Sequence, residues 1–372
     1  MKCLPSTKLP LAHGTTLHDW HAEVLAIRAF NRFLLDQLHH TLTPPYPPSP
    51  FLRPRPASER TPSSFQPFTI AEDVQIYMYC SEAPCGDASM ELVMQAQEDA
   101  TPWTSPVPTI SSPNTEKHLQ ELATSQKEEE EEEIISGLRG RSHFSHLGLL
   151  RYKPSRPDAP PTHSKSCTDK LTLTQTVSLL TSLTSLLISP QNAYLTTLIL
   201  PSTQLIPSAC LRAFTRTEGR MAPITPGMEG GWNGGYKWHG FDVVGTQREF
   251  EWCRRNVEVG KGQKAVAANM SAVWTPGWQE TLIGGVLQGR KQFDPRGASG
   301  ISRMGMWKVA VQIAAVAGVP MLVDALAKKT YREVKCDGLF ADRTKVKEDV
   351  RNASLKGWVR NAGDDDFRLD GA

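Results

Sequence analysis

From His21 onward the apolar positions keep a helical period: Ile27, Phe30, Leu34 and Leu38 recur three or four residues apart, and Pro44-Pro45 ends the run. Ahead of it, Lys2-Cys3-Leu4-Pro5 reads as the tail of a strand. Over 44–68 the period gives way to Pro, Ser and Arg, a composition that buries too little apolar area to offset chain entropy, so a mobile insertion is expected there. Residues 72–79 are dense in β-branched and aromatic side chains and predict a buried strand. Pro84-Cys85-Gly86 then turns the chain into a helix over 88–98, with Met90, Val93, Met94 and Gln97 at helical spacing. A second insertion is expected over 101–141, where the acidic run 128–133 repels itself and stays solvated. A basic loop, 151–170, leads to a mostly buried helix over 171–189, closed by Pro190, and to a short strand over 195–200. Between 212 and 256 Gly is frequent, and Trp232, Trp238 and Trp252 follow no period, so no element is assigned. Order resumes at 271–274, with a helix over 304–317, basic segments at 328–335 and 342–351, and a frayed tail at 363–372.

Composition changes this picture in two respects. The 372 residues carry a formal charge of only +2, so any nucleic-acid surface must be a local patch. Seven scattered cysteines form no spaced disulfide framework, which suits a reducing compartment and an intracellular protein of nucleus or cytoplasm. The most apolar region, 171–200, is interrupted by Ser, Thr and Pro190, which argues against a membrane span. No oligomeric state is encoded in the pattern.

The candidate chemistry lies at the helix starts. His21 and Glu23 are two apart, about 200° around a regular helix, so they converge only where the helix begins. Cys85 also falls just before a helix, where unpaired N–H groups favour a thiolate. In zinc-dependent nucleobase deaminases one His and two Cys hold the metal, water fills the fourth position, and a Glu that does not ligate moves protons. Their second cysteine generally stands three residues after the first, but position 88 is Ala. The missing sulfur must therefore come from far along the chain, and Ser166-Cys167-Thr168-Asp169-Lys170 offers one. Singly, a His-x-Glu is a solvated helix start, Pro-Cys-Gly a tight turn and Cys167 a small buried residue. Their conjunction is what carries the reading.

Asp19-Trp20-His21-Ala22-Glu23-Val24, the block 81–89 and Ser166-Cys167-Thr168-Asp169-Lys170 together resemble the adenosine deaminases acting on RNA, a family with double-stranded-RNA-editing and tRNA-specific members. The likeness continues in Gly289-Arg290-Lys291, Arg296-Gly297-Ala298-Ser299, Ser302-Arg303 and Met306-Trp307. Arg151-Tyr152-Lys153-Pro154 and Gly357-Trp358-Val359-Arg360-Asn361 look more like the tRNA-specific branch. The resemblance implies one α/β domain over 1–362, cytidine-deaminase-like, with three α/β/α layers around a mixed sheet and a helical C-terminal extension. Family members carry a helix and a strand ahead of the Lys-Cys-Leu segment, so a sheet lacking its first element, with a strand edge uncovered, is expected here.

By that resemblance His21, Cys85 and Cys167 ligate Zn²⁺, and Glu23 shuttles protons as adenosine is hydrolysed to inosine. The implied substrate is the adenosine immediately 3′ of the anticodon, position 37, of alanine tRNA. Lys2, Arg151 and Lys153 are the implied RNA contacts. The resemblance also implies a buried inositol hexakisphosphate, lined by Arg28, Lys170, Tyr331, Lys335 and Trp358, because a dense polyanion needs several buried cations and donors. Ile27, His18, Leu173 and Thr174 depart from the family there, so the cage is expected to be rebuilt from other residues or weakened. Two other readings stand beside this one: an adenosine deaminase of messenger or double-stranded RNA, and a non-catalytic RNA-binding homologue with a shortened N-terminus.

Overall fold

The computed structural model describes residues 2–101, 137–153, 158–260 and 268–369. The expected acidic run, 128–133, lies outside them. Helix α1, Ala22–Leu42, begins at His21, whose extended backbone makes it the N-cap, and buries Leu25, Ala29, Leu34, Leu35 and Leu38 along one face. The period of the sequence is thus realised as a helix lying across the main core.

The proline-rich stretch 44–68, expected to be mobile, is corrected by the structure. Strands β1, Leu52–Pro54, and β2, Phe68–Ile70, pair antiparallel with Leu52 opposite Ile70. Leu52, Phe65, Phe68 and Ile70 join the core against Leu34 and Leu38. Four such side chains at roughly 1.5–3 kcal/mol each suffice to fasten a ribbon whose average composition looked too polar. Arg55 is buried and donates to Ser64 O at 3.0 Å and Gln66 O at 2.9 Å.

Strand β3, Tyr77–Tyr79, pairs parallel with β6, Thr197–Pro201, which pairs parallel with β7, Asp242–Thr246. The strand expected to be buried over 72–79 is short and lies at an edge, with Tyr77 56 % and Tyr79 41 % exposed. Only its other face, at Met78, reaches the core formed by Leu198, Leu200, Leu171 and Phe214. Aromatic content had signalled a strand but not its depth.

After β3 come α2, Met90–Gln95, and a parallel pair, β4, Leu138–Arg139, with β5, Arg151–Tyr152. Helix α3, Cys167–Val177, is capped by the Ser166 hydroxyl, which accepts from Asp169 N. The single helix expected over 171–189 stops at Ser178, whose φ is +62°, and resumes as one turn at Thr184–Leu187. Side chains from elsewhere hold the break. Asn31 donates to Leu179 O at 2.9 Å and accepts from Thr181 N at 2.6 Å, and Arg343 donates to Val177 O at 2.6 Å.

Helix α4, Pro207–Phe214, packs beside α3. A separate antiparallel sheet, β8, Met270–Thr275, with β9, Trp278–Ile283, and β10, Val286–Leu287, lies against α1. The chain then ends in helices α5, Arg303–Ala317, α6, Pro320–Leu326, α7, Tyr331–Lys335, and α8, Ala341–Ala353. Ser302 caps α5, Gly318 ends it in the left-handed conformation, and a Thr330–Glu333 capping box starts α7.

The tail expected to fray at 363–372 is instead docked as far as it is described. Asp364 is buried, Phe367 stacks on Tyr331 with ring centroids 5.0 Å apart, and Leu369 is buried beside them. Two apolar side chains at alternate positions were a signal too short to stand out. Among the described residues no helix is long and apolar enough to cross a membrane.

Candidate active site

Two cysteine turns meet below the start of α1. Cys85 closes the turn after β3, and Cys167 opens α3. Cys167 N lies 3.4 Å from Cys85 Sγ, Thr168 N donates to Cys85 O at 3.0 Å, and Thr168 Oγ1 donates to Pro84 O at 3.0 Å. Gly86 between them has φ +113°, and a Cβ there would lie 2.3 Å from Ser166 Oγ. Only glycine allows so close an approach in that conformation.

His21 stands at the helix start, in contact with Asp19 and Cys3. Its Nδ1 is 2.8 Å from Asp19 Oδ1, and its backbone N–H donates to the same oxygen at 3.0 Å. A carboxylate partner on Nδ1 leaves the lone pair on Nε2. Asp19 Oδ2 accepts from Lys153 Nζ at 2.8 Å, from Ser164 Oγ at 2.7 Å and from Lys170 Nζ. Lys153 Nζ reaches on to Cys167 Sγ at 3.1 Å. An unbroken chain of charged contacts therefore runs from Lys170 through Asp19 and Lys153 to one sulfur, and through Asp19 to His21.

These contacts set the charges. Burial alone would raise the Asp19 carboxyl, but the Lys153 and Lys170 ammoniums hold it well below the usual range. Cys85 is lowered to about 6, chiefly by its hydrogen bond to Cys167, with Lys153 adding to the effect. Burial and the Cys85 sulfur push Cys167 up, while the Lys153 ammonium draws it down. The charge of Glu23 acts on both sulfurs and that of His21 on Cys85, so the two residues stand near the cysteine turns.

A different trio, Cys3, Asp19 and His21, has ligand atoms within 4.8 Å of one another. Its Asp19 is already engaged by Lys153 and Lys170, and burial pushes Cys3 up to about 12 as it pushes up Cys167. Cys3 lies 3.7 Å from His21 Nδ1 and is better read as packing under the ring.

Residues 1–362 match the family model for the adenosine-deaminase (editase) domain. The chain belongs to that family. This editase domain is 31 % identical over 370 residues to tRNA-specific adenosine deaminase 1 of Schizosaccharomyces pombe, covering 98 % of this chain and 82 % of that protein. It is 29 % identical over 180 residues to the protein of the same name from Saccharomyces cerevisiae, 48 % of this chain and 39 % of that one. Membership makes the chain a hydrolytic adenosine deaminase.

Two residues expected at the RNA surface of the editase domain are interior instead. Lys153 is 4 % exposed and serves Asp19 and Cys167. Arg151 is 1 % exposed, and its guanidinium pins the loop 140–146 by donating to Ser142 O at 2.8 Å and His146 O at 2.7 Å. Both lie in a segment read as a basic loop, and local charge gave no hint that partners distant in sequence draw them inward. Lys2 stays half-buried beside Glu23 and donates to Ser271 Oγ at 3.2 Å.

A cavity of about 520 Å³ opens on the far side of Asp19. Arg28, Lys170, Tyr331, Lys335 and Trp358 all line it, as expected, together with Lys165, Arg303, Lys347 and Arg351. The last four were not singled out from sequence, although each sits in or beside a segment read as basic or as family-like. Burial, and then the neighbouring cations, lower Lys335 to about 7 and Lys165 to about 6, and Lys347 is held well below the usual lysine range for the same reasons. His18, one of the departures, is held near 4 by burial and fits a neutral ring. Its Nε2 donates to Asp364 at 2.6 Å, and Nδ1 accepts from Asn361 at 3.0 Å.

Proposed function

We propose that this chain deaminates adenosine to inosine in tRNA inside the cell, at the position 3′ of the anticodon of alanine tRNA, with zinc held by His21, Cys85 and Cys167. The observation that carries the reading is the meeting of the two cysteine turns, with Cys167 N 3.4 Å from Cys85 Sγ, and with the charges of His21 and Glu23 acting on Cys85. One imidazole and two adjacent sulfurs beside a free carboxylate are the donor set of a zinc hydrolytic site with one open position. The tRNA substrate is supported by the relatives' names.

The chemistry zinc would supply here is a water acidified to a pKa of about 7. Glu23 takes the proton of the attacking water and delivers it to the purine ring nitrogen as the oxygen bonds to C6. It then takes the proton of the new C6 hydroxyl and passes it to the amino group, the C6–N bond breaks as the C6 carbonyl of inosine forms, and ammonia leaves. Asp19 fixes the His21 ring throughout, and Lys153 lends positive charge to the Cys167 sulfur. The target base must be unstacked, which an anticodon loop permits at low cost.

We assign the cavity to inositol hexakisphosphate. Cations that lower one another's pKa are a site awaiting negative charge, and Lys170 ties that charge to Asp19 beneath the active centre. The departures at Ile27, His18, Leu173 and Thr174 are offset by Arg303, Lys347 and Arg351.

Incubation of purified protein with alanine tRNA, read by sequencing for A-to-I conversion, tests the substrate. Glu23→Gln should retain one zinc and lose at least 100-fold in rate, in keeping with the roughly 10²–10⁴-fold worth of a positioned acid–base. Full activity in that variant removes Glu23 from the mechanism, and conversion of double-stranded RNA in place of tRNA moves the enzyme to the other branch.

A further inference from the structure

Each sulfur of the site has a buried carboxylate two residues after it: Asp87 follows Cys85 and Asp169 follows Cys167, both fully buried. Asp87 Oδ1 accepts from Gly148 N at 2.7 Å, and its Oδ2 accepts from Arg212 Nε at 3.0 Å. Asp169 Oδ1 accepts from Arg220 Nη1 at 2.6 Å, and its Oδ2 accepts from Arg151 N at 3.0 Å and Ser166 Oγ at 2.5 Å. The two cysteine turns are thus held in the same way, by a guanidinium on one side and by the 148–151 segment on the other.

The two arginines belong to one unit. Arg212 ends α4, the chain folds back at once, and Arg220 N donates to Arg212 O at 2.9 Å. Gly219 permits that return, since a Cβ there would lie 2.4 Å from Leu211 O. Arg212 is further fixed by Asp87 O at 3.0 Å and Glu91 Oε1 at 2.6 Å, and Arg220 by Thr172 Oγ1 at 2.7 Å and Ala213 O at 3.1 Å. A forked guanidinium bound at several points is far stiffer than a lone ammonium. Two sulfurs that share a tetrahedral ion at about 2.3 Å tolerate little drift in their separation.

We propose that Arg212 and Arg220 are positioning residues that act through Asp87 and Asp169 to hold Cys85 and Cys167 at the separation a shared zinc ion requires. The proposal rests on the reading of those cysteines as ligands, and the experiment separates the two. Wild-type full-length protein is compared with Arg212→Gln, Arg220→Gln, Arg220→Lys and Arg216→Gln. Arg216 lies between the two in sequence and pairs with Glu229, so it controls for loss of an ion pair in the same segment.

Zinc release to a chelator and the absorption of the cobalt(II)-substituted proteins are measured beside thermal unfolding. Arg212→Gln and Arg220→Gln should hold zinc about 10- to 100-fold more weakly, the usual effect of removing outer support from a metal site, and shift the cobalt ligand-field and thiolate charge-transfer bands. Arg220→Lys, which keeps the charge and stays folded, should fall between them and wild type, while Arg216→Gln matches wild type in both readouts. Unchanged zinc retention and cobalt spectra in the two glutamine variants, or equal metal loss in Arg216→Gln, overturns the proposal. Wild-type protein that binds neither metal overturns the ligand assignment beneath it.

Discussion

Asp19 decides more of this site than any other single residue. Its two oxygens orient His21, neutralise Lys153 and Lys170, and take the Ser164 hydroxyl, all at 5 % side-chain exposure. Asp19→Asn keeps the shape but leaves two ammoniums facing each other without a counter-charge. Breaking a buried pair in this way costs about 3–5 kcal/mol, so the variant should unfold at clearly lower urea and lose zinc on dialysis. A variant with wild-type stability and metal content would show that the lysines find other partners. The sign of the pH effect follows from the same contacts. The depressed Asp19 carboxyl contributes stability above its unfolded pKa of about 4, and that stability is lost as pH falls through the lower folded value.

Elements were legible where their cause was local. The period of α1 and of α5 is in the sequence, and the structure places both helices where the period predicts; the cap at Ser166, inside a stretch read as a basic loop, was not foreseen. The break at Ser178 was not legible, because the groups that occupy the freed backbone come from Asn31 and Arg343, 148 and 166 residues away. Asn31→Ala should therefore destabilise more than a surface change on α1: it orphans Leu179 O and Thr181 N, at roughly 1–3 kcal/mol per buried group. Urea unfolding measures this, and a loss below about 1 kcal/mol would mean that water or a shifted turn replaces the amide. The same contrast runs through the site. The helix starts at His21 and after Cys85 were legible, and Cys167 stood out only by family resemblance, whereas the inward role of Lys153 depends on a carboxylate 134 residues earlier.

At the scale of the whole molecule, the cation cavity makes the protein's pH response depend on its ligand. In the anion-free protein Lys165, lowered to about 6, and Lys335, lowered to about 7, are mostly neutral at pH 8, whereas unfolded lysines remain charged. The unfolded chain then binds more protons than the native one, so the stability of the free protein rises as pH climbs from about 6 toward 10. Phosphate groups beside the amines restore their protons, so binding inositol hexakisphosphate at pH 8 should take up about one to two protons. Titration calorimetry in buffers of different ionisation enthalpy reads that number directly. Binding without proton uptake would mean that the anion sits away from these two lysines.

The walls of that cavity come from segments far apart in the polypeptide: His18 meets Asp364 across 346 residues. A ribosome therefore releases His18 and Arg28 long before helices α5 to α8 exist, and a nascent chain that stops short of those helices cannot close the cavity. Asp19 can meet Lys153 and Lys170 once those residues have emerged, but the cavity beside them closes only after the segment that carries Asp364 has followed. Maturation of the catalytic centre is in this way tied to translation running through to the segment that carries Asp364.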